Sequence, residues 1–292
     1  MNFQRQSLPP GLYLVGVPIG TARDITLRAL DVLASAEILA AEDTRSLRKL
    51  MDIHGIPLEG RRILALHDHS GQGVQERLIE AAKSGQSVAY ASEAGMPLIA
   101  DPGFELVRAA SSAGVKVTSA PGPSAVPTAL AIGGLPTDAF HFAGFLPQSK
   151  AARRKALAGL ADIAATLVLF ESPKRLASCL ADAAEMLGTD RQAAICRELT
   201  KKFEETQRGT LAELAERIAA HPVKGEIVLL IDRASDTGVV NEDLVDSLLN
   251  TALESMSLKD AVAQVMAQTG LKRREIYQRA LDIQSAQSGD DT

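Results

Sequence analysis

Short apolar runs alternate with stretches of helical period along the first part of the chain. The runs at 12–17, 38–41, 63–66, 87–91 and 115–118 predict strands, and the periodic stretches at 26–35, 45–53, 74–83 and 104–113 predict the helices between them. Such alternation builds a largely parallel sheet, because each crossover helix returns the chain to the same edge. Ala120-Pro-Gly-Pro-Ser124 breaks any regular element and marks the passage into a second lobe. There the pattern predicts strands at 139–143, 166–170, 193–196, 203–209 and 226–231, with helices at 125–132, near 150–160, 173–187 and 210–220. The strands near 193 and 203 follow one another directly, which predicts an antiparallel pair and hence a mixed second sheet.

The C-terminal stretch has no strand signal. Leu244, Val245, Leu248, Leu249 and Leu253 fall on one helical face, Ser257 with Asp260 forms a capping signature, and Ile276, Tyr277, Ala280 and Leu281 mark a last helix, as in a helix-turn-helix unit. The expected organisation is therefore α/β throughout two lobes, 11–119 and 120–233, then a linker at 234–239 and a small helical module at 240–285.

Composition changes this picture little. With 292 residues the chain suits two domains and a small third, and with no Trp and 3% aromatics its core must come from Ala, Leu, Val and Ile. The net charge of −5 and pI of about 5.6 supply no global attraction to nucleic acid or anionic membrane, so any RNA contact must be local. Cys179 and Cys196 are too few for a disulfide framework, the N-terminus lacks a signal-peptide core, and no run approaches a membrane helix. The expected location is the cytoplasm, with no membrane partner.

Candidate chemistry begins with three Gly/Pro segments, each directly after a strand: Gly16-Val-Pro-Ile-Gly20, Ser92-Glu-Ala-Gly-Met-Pro97 leading to Asp101-Pro-Gly103, and Pro121-Gly-Pro-Ser124. Ligands of open α/β sheets bind outside the carboxyl ends of strands, so three such loops point to one crevice. Glu42 and Asp43 follow the first loop at a distance suited to a ribose-binding acid, but the loop lacks the third glycine of a dinucleotide fingerprint. His67-Asp68-His69 invites a metal reading that no further His/Cys cluster completes, and no metal is expected. Cys196 lies in an apolar strand pattern, as a core residue would. Cations cluster at Arg153-Arg154-Lys155, Lys174-Arg175 and Lys272-Arg273-Arg274, early in predicted helices. There they oppose the helix dipole by roughly 0.3–1 kcal/mol each, and a polyanion would reverse that sign. A solvated face with acidic neighbours is the alternative for each cluster.

Several segments resemble a known family. Leu12-Tyr-Leu-Val-Gly-Val-Pro-Ile-Gly20, Ala41-Glu-Asp-Thr-Arg45, Ser92 to Gly103, Ala120-Pro-Gly-Pro-Ser-Ala125, Phe170-Glu-Ser-Pro-Lys-Arg175, Arg197-Glu-Leu-Thr-Lys-Lys-Phe-Glu204 and Lys224-Gly-Glu-Ile-Val228 run in the order of the tetrapyrrole-methylase-like superfamily. Within it they resemble the small-subunit ribosomal RNA methyltransferase I branch, and the C-terminal helices are similar to that branch's terminal module. The resemblance implies a homodimer of two α/β lobes holding S-adenosylmethionine, and transfer to the ribose 2′-hydroxyl of a cytidine in small-subunit (16S) rRNA near the decoding centre.

Carried over by motif, Pro18, then Ser92, Glu93, Ala94 and Gly95, then Ser124 and Ala125 would line the cofactor cleft from the first lobe and the crossing. Phe170 and the run Lys224, Gly225, Glu226 and Ile227 would line it from the second. Asp43 and Glu198 are the candidate bases or orienters, and Arg45 and Lys201 the cations for a phosphate or a developing alkoxide. Lys174, Arg175, Arg153, Arg154, Lys272, Arg273 and Arg274 are the candidate RNA contacts. The family usually has Asp and Thr where this chain has Glu93 and Met96, and His where it has Lys174. The alternatives are a tetrapyrrole methylase, which usually opens with Gly-x-Gly-Pro-Gly, and a non-catalytic RNA-binding assembly factor.

Overall fold

The chain begins with a strand buried on both faces, β1 (Gly11–Val15), and parallel strands gather on each side of it. The computed structural model describes residues 2–66, 72–234, 242–269 and 273–288. Four more strands, β2 (Ile38–Ala41), β3 (Ile63–Ala65), β4 (Ser87–Ala91) and β5 (Val117–Ala120), complete a five-stranded sheet in the order β3-β2-β4-β1-β5. Every pairing in it is parallel, so all five carboxyl ends share one edge. Helices α1 (Leu27–Ser35) and α2 (Thr44–Ile53) cover one face through Leu30, Leu33, Leu47 and Met51. On the other, α3 (Gln72–Lys83) and α4 (Phe104–Ser112) contribute Leu78, Ala82, Leu106 and Ala110. Coverage on both faces explains why β1, β2 and β4 are continuous apolar runs rather than alternating ones.

Helix α5 (Ala125–Gly133) follows the Pro/Gly break and lies against the second sheet through Val126, Ala129 and Leu130. That sheet has the order β6-β7-β10-β8-β9, formed by β6 (Phe140–Phe145), β7 (Thr166–Glu171), β8 (Gln192–Arg197), β9 (Glu205–Thr210) and β10 (Ile227–Ile231). β6 and β7 are parallel, whereas β10 runs antiparallel to both β7 and β8, and β9 antiparallel to β8. The carboxyl ends of β6, β7 and β8 therefore share an edge with the amino end of β10. Its opposite face is covered by α6 (Lys150–Ala158), α7 (Pro173–Leu187) and α8 (Leu211–Ala220), packed through Leu157, Leu176, Leu180 and Leu214. Thr210 and Glu213 close a full capping box at the start of α8. The expected parallel first sheet and mixed second sheet are what the chain forms.

Backbone contacts divide the chain into residues 1–233 and 234–292. The second unit holds α9 (Glu242–Leu253), α10 (Leu258–Thr269) and α11 (Arg273–Ser288), joined by Val245, Leu249, Val262, Val265, Ile276 and Ala280. Asp246 accepts from the Arg279 guanidinium at 2.7 and 3.0 Å, and Ser257 caps α10 through the Asp260 N–H. No described helix is long and apolar enough to cross a membrane.

Candidate active site

The loops at the shared strand ends of the two sheets enclose a cleft of about 690 Å³. From the first sheet come Pro18 to Gly20 after β1, Glu42 and Ser46 after β2, two stretches after β4 (93–96 and 99–101), and Ser124 and Ala125 after β5. From the second come Phe145, Phe170, Leu199, Lys201 and the start of β10 from Gly225 to Val228. This is the carboxyl-edge crevice expected of an open parallel sheet, and its volume suits a cofactor-sized ligand.

The floor depends on an approach only glycine permits. Gly16, after β1, and Gly122, after β5, touch backbone to backbone: a Cβ on Gly122 would lie 2.9 Å from Gly16 C, Cα and O, and one on Gly16 would lie 2.6 Å from Gly122 N. Met96, where the family usually has Thr, packs into the same junction, its Sδ 2.7 Å from that Gly16 Cβ position. Val17 and Gly95 exchange backbone hydrogen bonds of 2.9 and 3.1 Å, which pin the loop after β4 to the loop after β1.

Two wall segments hold non-glycine residues in the left-handed region: Leu98 (φ 74°) and Ala100 (φ 63°) on one side, Glu198 (φ 51°) and Thr200 (φ 62°) on the other. Each costs roughly 1–3 kcal/mol and persists only where its surroundings over-determine it, a pattern typical of ligand sites. The buried Tyr90 hydroxyl donates to the Pro102 carbonyl at 3.1 Å, and Gly103 (φ 123°) leaves room for the Tyr90 ring. Asp101, immediately before Pro102, is thereby fixed on the cleft wall.

Most of the carried-over cofactor residues line this cleft. Ser92 and Lys224 do not: Ser92 is buried behind the wall with its hydroxyl donating to the Ala94 carbonyl at 3.1 Å, and the Lys224 carbonyl accepts from Arg197 at 3.1 Å. Phe170 meets Phe142 and Phe145 edge-on at centroid distances of 4.9 and 5.6 Å, presenting an aromatic surface to the ligand space.

The two candidate bases or orienters are both engaged in hydrogen bonds of their own. Asp43 caps α2, accepting from Arg45 and Ser46 N–H at 2.7 and 3.3 Å, and pairs with the Arg45 guanidinium at 3.1 Å. Arg45's hydrogen bonds hold its pKa below the usual aspartate value. Glu198 accepts from the Glu226 N–H at 2.9 Å and from Lys201 Nζ at 3.0 Å, and these bonds, the backbone one first, lower its pKa. Neither lines the cleft, and a carboxylate so held is a weak proton acceptor. Arg45 is almost fully exposed, whereas Lys201 does line the cleft. Burial opposes the Lys201 charge, but hydrogen bonds from its ammonium to Glu198 and Glu226 outweigh that and raise its pKa, so it remains a cation.

Two carboxyls that face the cleft, Glu42 and Asp101, are not among the candidate catalytic residues of the sequence, where Glu42 enters only as a ribose-binding acid. Glu42, after β2, accepts from the Glu93 N–H at 3.1 Å, and Asp101 lies near both residues. Burial, then the Glu42 charge, pushes Asp101 from 3.8 up to about 6, with the Ser92 hydroxyl working the other way. Folding thus favours protonated Asp101, so its contribution to stability is full below pH 3.8 and is lost as pH rises through about 6. Asp101→Asn is accordingly expected to stabilise the chain at pH 7–8. The shift sets a ceiling of about 3 kcal/mol, screening of a half-buried group brings it nearer 1, and the gain should vanish at pH 4 in thermal melts.

The cationic clusters separate. Arg153 is 5% exposed and bonded to Asp182 of α7 at 2.6–2.8 Å, so it is not an RNA contact: a polyanion cannot reach it. Arg175 is half-buried, donating to the Leu146 and Pro147 carbonyls and pairing with the buried Glu171 at 3.2 Å. Arg154 pairs with Glu185, while Lys174, Arg273 and Arg274 are exposed. Lys272 and His67 to His69 lie outside the described residues, among which no group of three His, Cys, Asp or Glu could hold a metal. Both cysteines are buried, and burial pushes the Cys179 thiol up to about 12 and raises that of Cys196. Cys196 is the core residue its pattern suggested.

Residues 11–215 match the family described as tetrapyrrole (corrin/porphyrin) methylases, and residues 239–284 match the RsmI C-terminal HTH domain. The protein named ribosomal RNA small subunit methyltransferase I of Mesorhizobium japonicum is 47% identical over 277 residues, 94% of this chain and 93% of its own. Its namesake from Vibrio cholerae is 43% identical over 278 residues, 94% of this chain and 95% of its own. The chain belongs to the ribosomal RNA small subunit methyltransferase I family. Solved structures with the same fold include cobalt precorrin-4 methyltransferase, with a TM-score of 0.57 at 18% identity over 76% of this chain and 94% of that one. Uroporphyrin-III C-methyl transferase from Thermus thermophilus, complexed with S-adenosylhomocysteine, gives 0.53 at 21% identity over 77% and 98%. The family is one of S-adenosylmethionine-dependent methyltransferases.

Proposed function

We propose that the chain transfers a methyl group from S-adenosylmethionine to the ribose 2′-hydroxyl of a cytidine in small-subunit rRNA near the decoding centre, acting in the cytoplasm as a homodimer. The observation that carries this is the cleft: strand-end loops of two sheets converge on a cofactor-sized space in a chain 47% identical to a ribosomal RNA small subunit methyltransferase. Its lining fits the cofactor. Phe170 offers an apolar face, the Gly/Pro loops offer backbone carbonyls, and Lys201, the cleft's cation, is matched by two carboxylates, so a sulfonium meets little repulsion.

S-adenosylmethionine supplies a methyl group on a positively charged sulfur. The protein's share is then positioning: the loops after β1, β4 and β5 and the start of β10 hold the donor, and the open side of the cleft admits the ribose. Lys201 keeps its charge and in this reading meets a phosphate or a developing alkoxide. The proposed RNA contacts are Lys174 and Arg154 on the α/β unit and Lys272, Arg273 and Arg274 on the helical unit. The tetrapyrrole reading is less well supported, because the tetrapyrrole enzymes share the fold at 18–22% identity whereas relatives with the rRNA name reach 47%.

Changing Arg273 and Arg274 together to Glu is expected to weaken small-subunit RNA binding at least tenfold, because exposed cations near RNA draw affinity from counterion release. Cofactor affinity should stay within about twofold, since neither residue lines the cleft. Filter binding at two salt concentrations, beside calorimetry with S-adenosylmethionine, checks both. RNA affinity that is unchanged at either salt returns these arginines to a solvated face.

A further inference from the structure

Five carboxyls line the cleft: Glu226 is paired with Lys201 at 3.0 Å, Glu171 with Arg175 at 3.2 Å, Glu42 is occupied by the Glu93 N–H at 3.1 Å, and the Glu93 side chain is exposed to solvent, which leaves Asp101. Asp101 has no ion pair among the described residues. Its backbone is constrained on both sides: the left-handed Leu98 and Ala100 precede it, and Pro102, held by Tyr90, follows it. A chain that maintains two strained residues and a buried tyrosine contact to aim one carboxyl into a ligand cleft is holding that carboxyl for the ligand.

We propose that Asp101 receives the proton of the attacking ribose hydroxyl, a catalytic role that rests on the function proposed above. The ribose oxygen forms its bond to the methyl carbon while the carbon–sulfur bond breaks with its electron pair on sulfur. The hydroxyl proton passes to the Asp101 carboxylate and from there to water, so one proton is released per methyl transferred.

The surroundings favour a hydroxyl over a phosphate at this wall. Glu42 and Glu93 both face Asp101, so an anion arriving there is repelled, while a neutral hydroxyl beside a cationic sulfur is not. Of the other charges on adjoining elements, Arg45 pairs with Asp43 at the start of α2, Arg48 with Asp52 on α2, and Arg108 with Glu105 on α4. Across the cleft, Lys201 is matched by Glu198 and Glu226. The same environment brings Asp101 to about 6, where a carboxyl is ionised at neutral pH yet basic enough to take a proton, unlike Asp43 and Glu198, which are held low.

The test uses the full chain, saturating S-adenosylmethionine and isolated small subunits in single turnover from pH 5 to 8.5, with wild type, Asp101→Asn and Asp101→Glu. Wild type should show a rate that rises with pH through a midpoint near 6. Asp101→Asn should lower the rate at pH 7.5 by about 10²–10⁴-fold and abolish that limb, with cofactor Kd within about threefold, and Asp101→Glu should restore part of both. A rate within tenfold of wild type for Asp101→Asn overturns the proposal. So does a raised cofactor Kd with an unchanged rate at saturation, which would make Asp101 a holder of the cofactor's ammonium group. Wild-type protein that binds the cofactor but methylates no RNA defeats the ribose reading itself, and with it this role, before any variant is compared.

Discussion

Replacing Arg153 by alanine is expected to lower the melting temperature of the chain by roughly 6–20 °C. The guanidinium and the Asp182 carboxylate are 6% and 5% exposed and bonded through two nitrogens at 2.6 and 2.8 Å, with a third contact to the Gln148 carbonyl at 3.3 Å. Removing one partner leaves a buried charge uncompensated, which costs about 3–5 kcal/mol, and each kcal/mol lowers Tm by roughly 2–4 °C in a unit of this size. Pairing Arg153→Met with Asp182→Leu should recover most of the loss, because an apolar pair of similar volume leaves no charge behind. Calorimetric melts of the two variants decide this. A single variant that melts with wild type would mean the pair is solvated and Arg153 is available to RNA after all.

Gly122→Ala carries the second large effect, on the cofactor. The new Cβ would lie 2.9 Å from three backbone atoms of Gly16, and neither partner is a flexible side chain that could swing away. The loops after β1 and β5 must therefore part, moving Pro18 and Ser124 on the cleft wall. A displacement near 1 Å in a positioned site costs on the order of 10²-fold in rate, and S-adenosylmethionine affinity should fall about 10–100-fold with it. Gly73→Ala is the matched control: it lies in α3 with nothing within 4 Å of the added Cβ, and should leave the affinity unchanged. Titration calorimetry on both proteins checks the contrast. Equal affinities would show that the Gly16–Gly122 contact does not shape the site.

The strands were legible because both sheets are covered. Continuous apolar runs such as Ile38–Ala41 and Ser87–Ala91 have no polar face to disguise them. The apolar run sets β5 two residues early, since Val115 continues it while the strand's pairing with β1 starts only at Val117. β9 also starts later than its apolar signal: Phe203 is 62% exposed, and pairing with β8 begins at Glu205. On such an edge strand the backbone ladder, rather than side-chain burial, sets the limits.

The site was legible as loops and less so as chemistry. Three strand-end Gly/Pro segments pointed to one crevice without any knowledge of strand order. What Asp101 faces depends on that order: β2 lies beside β4, which brings Glu42 to Glu93 and Asp101, and local pattern carries no trace of such a neighbour. The same reason hid the fate of Arg153. In sequence it is one of three adjacent cations, and only the packing of α6 on α7 brings Asp182, 29 positions later, against it.

The central claim is methyl transfer from a cofactor held in this cleft to a ribose of small-subunit rRNA. It is tested most directly by incubating the purified chain with methyl-labelled S-adenosylmethionine and isolated small subunits, then mapping the label by nuclease digestion and mass spectrometry. The expected result is one labelled residue, a cytidine carrying the methyl on its 2′-oxygen in the decoding region, and at least tenfold less label with Gly122→Ala at low cofactor concentration. Label on a base, on another RNA, or on no RNA at all would contradict the account.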